Sequence, residues 1–233
     1  VRYCESTFQT KRLKTREVKV GNVGVGGNNP IRIQSMTTYP TCDVEETSGQ
    51  IIRLADHGCD IVRMTVQGKK EALACEDIKN ILLKKGYGSV PLVADIHFYP
   101  PAAMIVADFV DKIRINPGNF ADRRATFKSI KYDDASYEIE KKKIEHTFGP
   151  FVEKCLKLKK AIRIGVNHGS LSDRIMNRYG DTPRGMVESA IEFLEVCRKV
   201  GFHDCILSMK ASHTGVMVQA YRLLAFEMIK RGW

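Results

Sequence analysis

Lys112-Ile113-Arg114-Ile115-Asn116 sets isoleucine against a charged or amide side chain in strict alternation. Successive side chains of a strand point to opposite faces, so these residues read as a strand with one apolar and one polar face. Working outward, the same reading applies to Ile31–Met36, Ile61–Val66, Pro91–His97, Ala161–Asn167 and Asp204–Ser212. One parity set is uniformly apolar: Ile31, Ile33; Val62, Met64, Val66; Leu92, Ala94, Ile96; Ile113, Ile115; Ile162, Ile164, Val166; Leu207, Met209, Ala211. The opposite set is polar or charged in every strand: Arg32, Gln34; Arg63, Thr65; Asp95, His97; Lys112, Arg114, Asn116; Arg163, Gly165, Asn167; Ser208, Lys210, Ser212.

Helix-like patterns separate these strands. Asp43-Val-Glu-Glu46 reads as a capping box opening a helix that stops at Gly58. Thr182-Pro183 gives an N-cap and a first-turn proline for a helix running to Gly201, and a further helix covers Val216–Lys230. Strand–helix alternation on this scale implies parallel strands with helical crossovers, an α/β fold. A doubly wound sheet would want both parity sets apolar, whereas a barrel interior turns polar toward its C-terminal mouth. The pattern favours a (β/α) barrel. Val18–Gly27 alternates valine with glycine or polar residues and reads as a β-hairpin ahead of it. The long stretch Phe120–Lys160, with its charged segment Glu138–His146, is expected to be a helical elaboration of the same domain, so residues 1–233 form one unit.

Composition narrows the function. The 233 residues are 43% apolar and 27% charged, with mean hydropathy −0.23, as a folded globular chain requires. No apolar run approaches the roughly 18 residues of a membrane span, and no signal peptide is visible. Seven scattered cysteines (Cys4, Cys42, Cys59, Cys75, Cys155, Cys197, Cys205) without a C-x-x-C pair read as reduced thiols, mostly small core hydrophobes. Their spacing argues against a metal cluster held by these residues. The net charge of +10 raises nucleic acid as a partner. The lysine runs (Lys84-Lys85, Lys141–Lys143, Lys157, Lys159-Lys160) instead sit among acids or at helix ends, where solvated faces place them.

The inward set decides the chemistry. Arg63, Arg114, Arg163 and Lys210 stand against the single carboxylate Asp95. Buried unpaired cations are costly, so such a site expects an anion with several charges, and the planar guanidinium suits phosphate. Arg32 and Lys112 come early in their strands. They read either as further site cations or as cations paired elsewhere or at the N-terminal rim. Asp95 with His97 reads as a proton-transfer pair, a ligand motif or an orienting hydrogen-bond pair. Asn116, Asn167 and the glycines 118, 165 and 169 suit turns that offer N–H groups to phosphate.

On these residues the chain resembles one family. The motifs are Ile33-Gln-Ser-Met-Thr37, Asp60-Ile-Val-Arg63, Val93-Ala-Asp-Ile-His97, Ile113-Arg-Ile-Asn-Pro-Gly-Asn119, Arg163-Ile-Gly-Val-Asn167 and Lys210-Ala-Ser212, together with Met186–Ala190 and Ala220–Ala225. They resemble the N-terminal barrel of 4-hydroxy-3-methylbut-2-enyl diphosphate synthase, the iron–sulfur oxidoreductase of non-mevalonate isoprenoid biosynthesis. The resemblance implies a TIM-type (β/α)8 barrel with six of its eight strands in this chain. It implies reductive ring opening of 2-C-methyl-D-erythritol 2,4-cyclodiphosphate, with electrons from ferredoxin or flavodoxin. Arg63, Arg114, Asn116, Arg163, Asn167 and Lys210 match the substrate-binding positions, and Asp95, His97 and Ser212 would orient the substrate. It places the [4Fe-4S] cluster in a C-terminal domain, on three cysteines and a glutamate that this chain does not contain. It also implies a homodimer, in bacterial cytoplasm or plastid stroma, with neither nucleic acid nor membrane as partner. Phe120–Lys160 and Asn167-His-Gly-Ser170 resemble the larger three-domain variant, and the chain reads as a trimmed part of it. A different barrel enzyme for a phosphorylated substrate, similar to pterin synthases, and a basic nucleic-acid-binding module stand as alternatives.

Overall fold

The computed structural model describes residues 6, 8–9, 13–96, 99–122 and 132–233. An antiparallel hairpin, β1 (Glu17–Val20) and β2 (Val23–Gly26), precedes β3 (Gln34–Met36), α1 (Val44–Asp56), β4 (Ile61–Val66), α2 (Lys69–Lys84), β5 (Leu92–Ile96) and α3 (Pro101–Val106). There follow β6 (Lys112–Ile115), α4 (Pro117–Phe120), α5 (Asp134–Leu158), β7 (Ala161–Asn167), α6 (Asp173–Tyr179), α7 (Pro183–Lys199), β8 (Cys205–Lys210) and α8 (Thr214–Lys230). Strands β3 to β8 are parallel and pair in chain order, forming a curled half-barrel.

Local sequence sets the helix starts. The Asp43 carboxylate accepts the Glu46 N–H at 3.3 Å, and the Thr182 hydroxyl accepts the Gly185 N–H at 3.1 Å with Pro183 in the first turn. The charged segment 138–146 is helical, inside α5; residues 123–131 of the preceding stretch lie outside the described residues.

The two strand faces have different jobs. Val62, Met64, Val66, Leu92, Ala94, Ile96, Ile113, Ile115, Ile162, Ile164 and Val166 are buried with the helices, where Phe120, Phe148, Phe151 and Phe193 form an aromatic cluster. On the other face a second apolar cluster joins Ile61, Val93 and Ala161 to Val18 and Val20 of the hairpin, with Val23, Val25 and Ile206 packed against it. Alternation in β1 points both valines inward while Glu17 and Lys19 face solvent. Gly21 makes the hairpin turn at φ +58°, a left-handed conformation that suits glycine. The hairpin thus floors the half-barrel at the N-terminal ends of its strands.

The first strand departs from expectation. Only Gln34–Met36 is strand, and Ile31 and Ile33 are 86% and 61% exposed instead of lying against helices. Side chains have taken over the backbone there. The Asp60 carboxylate accepts the Ile33 N–H at 2.7 Å, and Arg32 turns to the Gly24 carbonyl (2.8 Å) and the Asn29 amide oxygen (3.1 Å). Arg32 therefore anchors the hairpin and is not a site cation.

Val20→Ala should lower unfolding stability by about 2 kcal/mol, the scale of removing buried methyl groups. Lys19→Ala on the solvent side should change it by less than about 0.5 kcal/mol. Denaturant unfolding of both variants measures the difference.

Candidate functional site

Above the hairpin floor the same face becomes charged. Thr65, Asp95, Arg114 and Arg163 are partners in register across β4, β5, β6 and β7. The Asp95 carboxylate, 4% exposed at its side chain, accepts from Arg114 Nη1 at 2.9 Å and lies 3.7 Å from Arg63 Nε. Arg114 Nη2 donates to the Gly165 carbonyl at 3.0 Å. Arg163 Nε donates to the Ser208 hydroxyl at 3.1 Å, and Arg63 rests its Nε and Nη2 on the Met36 sulfur, a weak acceptor. Burial, then the neighbouring Arg63 and Arg114, lowers the pKa of Arg163. Three guanidiniums therefore converge with one carboxylate between them.

Gly165 makes this approach possible. A Cβ there would stand 2.6 Å from Arg114 Nε, so any larger residue displaces the guanidinium. The role differs from the phosphate-turn role expected of it. The other two glycines also differ: the Gly118 N–H goes to the Asn116 side chain at 3.2 Å and the Gly169 N–H to Asp181 at 3.0 Å. A Cβ on Gly118 would fall 2.0 Å from the Ser170 carbonyl oxygen. Gly118 thus serves close packing of the mouth loops, whereas Gly169 takes φ +79°, a left-handed conformation that suits glycine.

Asn116 is buried and committed at both ends of its amide. Its oxygen caps α4 through Gly118, and its nitrogen donates to the Ser170 hydroxyl at 3.0 Å, tying two mouth loops together. Asn167 and Lys210 are register partners at the C-terminal ends of β7 and β8; Asn167 is half-buried and Lys210 exposed. Ser212 lies exposed just beyond β8. His97 falls outside the described residues.

The sequence left the placement of Lys112 open and missed a second feature altogether. Lys112 is 3% exposed and donates to the Gln34 side-chain oxygen at 3.0 Å. It faces the site, and burial with Arg163 and Arg63 nearby pushes its ammonium down to about 7. The second is a sealed network on the helix side. Arg174 reaches both oxygens of Glu192 at 2.7 Å and Asp122 at 3.3 Å, and the Tyr137 hydroxyl donates to Glu192 at 2.6 Å. Its only sequence signal is a glutamate within the otherwise apolar run Ala190–Leu194 of α7.

Of the described cysteines, Cys75, Cys155 and Cys197 are fully buried, Cys59 and Cys205 half-buried and Cys42 exposed; Cys4 lies outside the described residues. Among the described residues no three His, Cys, Asp or Glu side chains are grouped as a metal site. No helix among them is long and apolar enough to cross a membrane. Several basic residues expected on solvated faces have acidic partners, as Lys141 with Glu195 at 2.7 Å.

Consecutive parallel strands, helices on one face and convergent cations on the other define a TIM-barrel scaffold with a cation-lined interior. The chain belongs to the GcpE TIM-barrel domain family, whose model matches residues 15–230. Over 232 residues it is 66% identical to 4-hydroxy-3-methylbut-2-en-1-yl diphosphate synthase (flavodoxin) of Protochlamydia amoebophila, covering 100% of this chain and 35% of that protein. It is 59% identical to the chloroplastic, ferredoxin-type synthase of Oryza sativa over 232 residues, covering 100% of this chain and 31% of that protein. The chain thus spans about a third of the length of these curated relatives. Among solved structures, β-methylaspartase of Clostridium tetanomorphum aligns with a TM-score of 0.52 at 11% identity, over 87% of this chain and 44% of that one. N-acetylneuraminic acid synthetase of Leptospira borgpetersenii aligns with a TM-score of 0.51 at 14% identity, over 94% and 67%. Both likenesses are of fold alone.

Arg174→Met should destabilise the chain by about 3–5 kcal/mol, because it leaves Glu192 a buried carboxylate without its cation. Tyr137→Phe removes one hydrogen bond to the same group and should cost about 1–2 kcal/mol. Denaturant midpoints at neutral pH test the ranking.

Proposed function

We propose that this chain is the cyclic-diphosphate-binding barrel of a 4-hydroxy-3-methylbut-2-enyl diphosphate synthase. The observation that carries the reading is the convergence of Arg63, Arg114 and Arg163 around the single carboxylate of Asp95. Their charge exceeds what Asp95 neutralises, and a ligand with two phosphates supplies the remainder. The family and the names of its relatives agree with that ligand class.

In this reading the guanidiniums grip the phosphate oxygens, each able to present two N–H groups to one phosphate. Asp95 holds Arg114 and Arg63 in orientation before the ligand arrives, so less side-chain entropy is lost on binding. Asn167 and Lys210 flank the ligand from the strand ends, and Ser212 and His97 are assigned as orienting groups. Asn116 acts one step back, fixing the loops that shape the mouth. The whole protein's reaction is the two-electron reductive opening of 2-C-methyl-D-erythritol 2,4-cyclodiphosphate, with flavodoxin or ferredoxin as donor, in bacterial cytoplasm or plastid stroma and as a homodimer. The same reading assigns the [4Fe-4S] cluster of that reaction to a C-terminal domain and gives this chain the binding and orientation of substrate. Neither nucleic acid nor membrane is a partner in this reading.

Calorimetry with the cyclic diphosphate on the protein carrying this chain tests the reading. Arg114→Met should weaken binding by about 1.5–3 kcal/mol, the scale of a charge-assisted contact. Arg114→Lys should lose less, because it keeps the charge but not the fork. Lys142→Ala should leave affinity unchanged. A dissociation constant within twofold of wild type for Arg114→Met, or tighter binding of an oligonucleotide than of the cyclic diphosphate, overturns it.

A further inference from the structure

Lys112 occupies an unusual position for an amine. Its register partners on either side are Val93 and Ala161, both fully buried members of the apolar cluster under the hairpin. The stem therefore rises from the dry floor, and Nζ donates to the neutral amide oxygen of Gln34 from β3. The charged groups on this face are Arg63 from β4, Asp95 from β5, Arg114 on the same strand, Arg163 from β7 and Lys210 at the exposed C-terminal end of β8, whose Ile206 and Ser208 carry no charge. Asp95 is already engaged with Arg114 and Arg63. No carboxylate among the described residues forms an ion pair with Lys112.

We propose that Lys112 is a proton-accepting positioning residue beneath the anion site, taking up a proton as a diphosphate ligand settles against Arg63, Arg114 and Arg163. The inference rests on the diphosphate reading above and adds a titrating group to it. In the free site a fourth cation would meet the guanidiniums of Arg63 and Arg163 in a desolvated pocket, and burial with those charges already brings Lys112 down to about 7. Two ligand charges arriving on the same face reverse that balance and favour the ammonium. The complex then holds more protons than the free protein above neutral pH. By linkage, affinity is highest at or below pH 7 and falls as pH rises, until Lys112 is neutral in the complex as well.

The mechanism separates two tasks. The arginines supply the attraction and the forked N–H geometry that suits phosphate. Lys112 adds charge only when the ligand is present, so the empty site is spared one buried cation. A neutral or singly charged ligand would draw the proton weakly, which makes Lys112 a selector for multiply charged anions.

The cyclic diphosphate suits the test because each of its phosphates is esterified and joined through the anhydride, leaving two fixed charges that do not titrate near neutrality. Binding to the full-length protein is measured by calorimetry at about pH 8 in two buffers of different ionisation enthalpy, and affinity is then followed from pH 7 upward. Wild type should take up most of one proton per ligand, and its affinity should fall by up to about tenfold per pH unit. Lys112→Met should bind with little uptake and a flattened pH profile. Lys112→Arg, charged at every pH used, should likewise bind without that uptake and keep its affinity as pH rises. Should Lys112→Met fail to fold, wild type and Lys112→Arg decide the matter. Ligand binding with no uptake in wild type, or with equal uptake in wild type and Lys112→Arg, overturns the role of Lys112 and leaves the diphosphate reading standing. Absence of cyclic-diphosphate binding by wild type overturns both.

Discussion

Asp95 sits between Arg114 and Arg63 as the one carboxylate, among the described residues, on a face that also carries Arg163 and Lys112. Desolvated like charges repel strongly where water cannot screen them, so this arrangement costs the empty fold stability. Several features reduce that cost. Arg114 finds a carbonyl at Gly165, Arg163 a hydroxyl at Ser208, Arg63 a thioether at Met36, and Lys112 loses its proton readily. A partner that is neutral, as the carbonyl, hydroxyl and thioether are, satisfies a donor without cancelling its charge. The face therefore keeps a residual positive charge.

The rest of the fold holds this charge in place. The hairpin valines on Ile61, Val93 and Ala161 close off the N-terminal end beneath the charged row. The helix-side core fixes the backbone of those strands from behind. Loop packing supports the mouth: Gly118 against Ser170 and the Asn116 amide across the same two loops leave little freedom there. The Arg174–Glu192–Tyr137 network reinforces the helical layer with fully directional contacts, at the price of large sensitivity to losing any one partner.

Proteins of unlike sequence can share such a barrel fold, yet what a barrel does depends on its site. The structural likeness to β-methylaspartase and to N-acetylneuraminic acid synthetase illustrates this, since each aligns over most of this chain at low identity. The convergence of arginines, and not the barrel itself, supports a diphosphate ligand here.

Most of the architecture was legible in the residues because strand parity is a local property. Alternation in Lys112–Asn116 and Ala161–Asn167 assigned Arg114 and Arg163 to one face, and the helices starting at Asp43 and Thr182 began where their caps stand. Parity failed at Ile31 and Ile33, where Asp60 and the hairpin compete for the backbone and for Arg32. That competition joins segments far apart in the chain and leaves no periodic trace. For the same reason only the tertiary structure decided which polar atoms meet. It gave Asn116 to Ser170, set Gly165 beneath Arg114 and brought Glu192 to Arg174. It also lodged Lys112 beside Gln34, 78 residues away along the chain. Sequence determined which face each side chain takes; packing determined its partner, because a partner is set by distance in space and not by spacing along the chain.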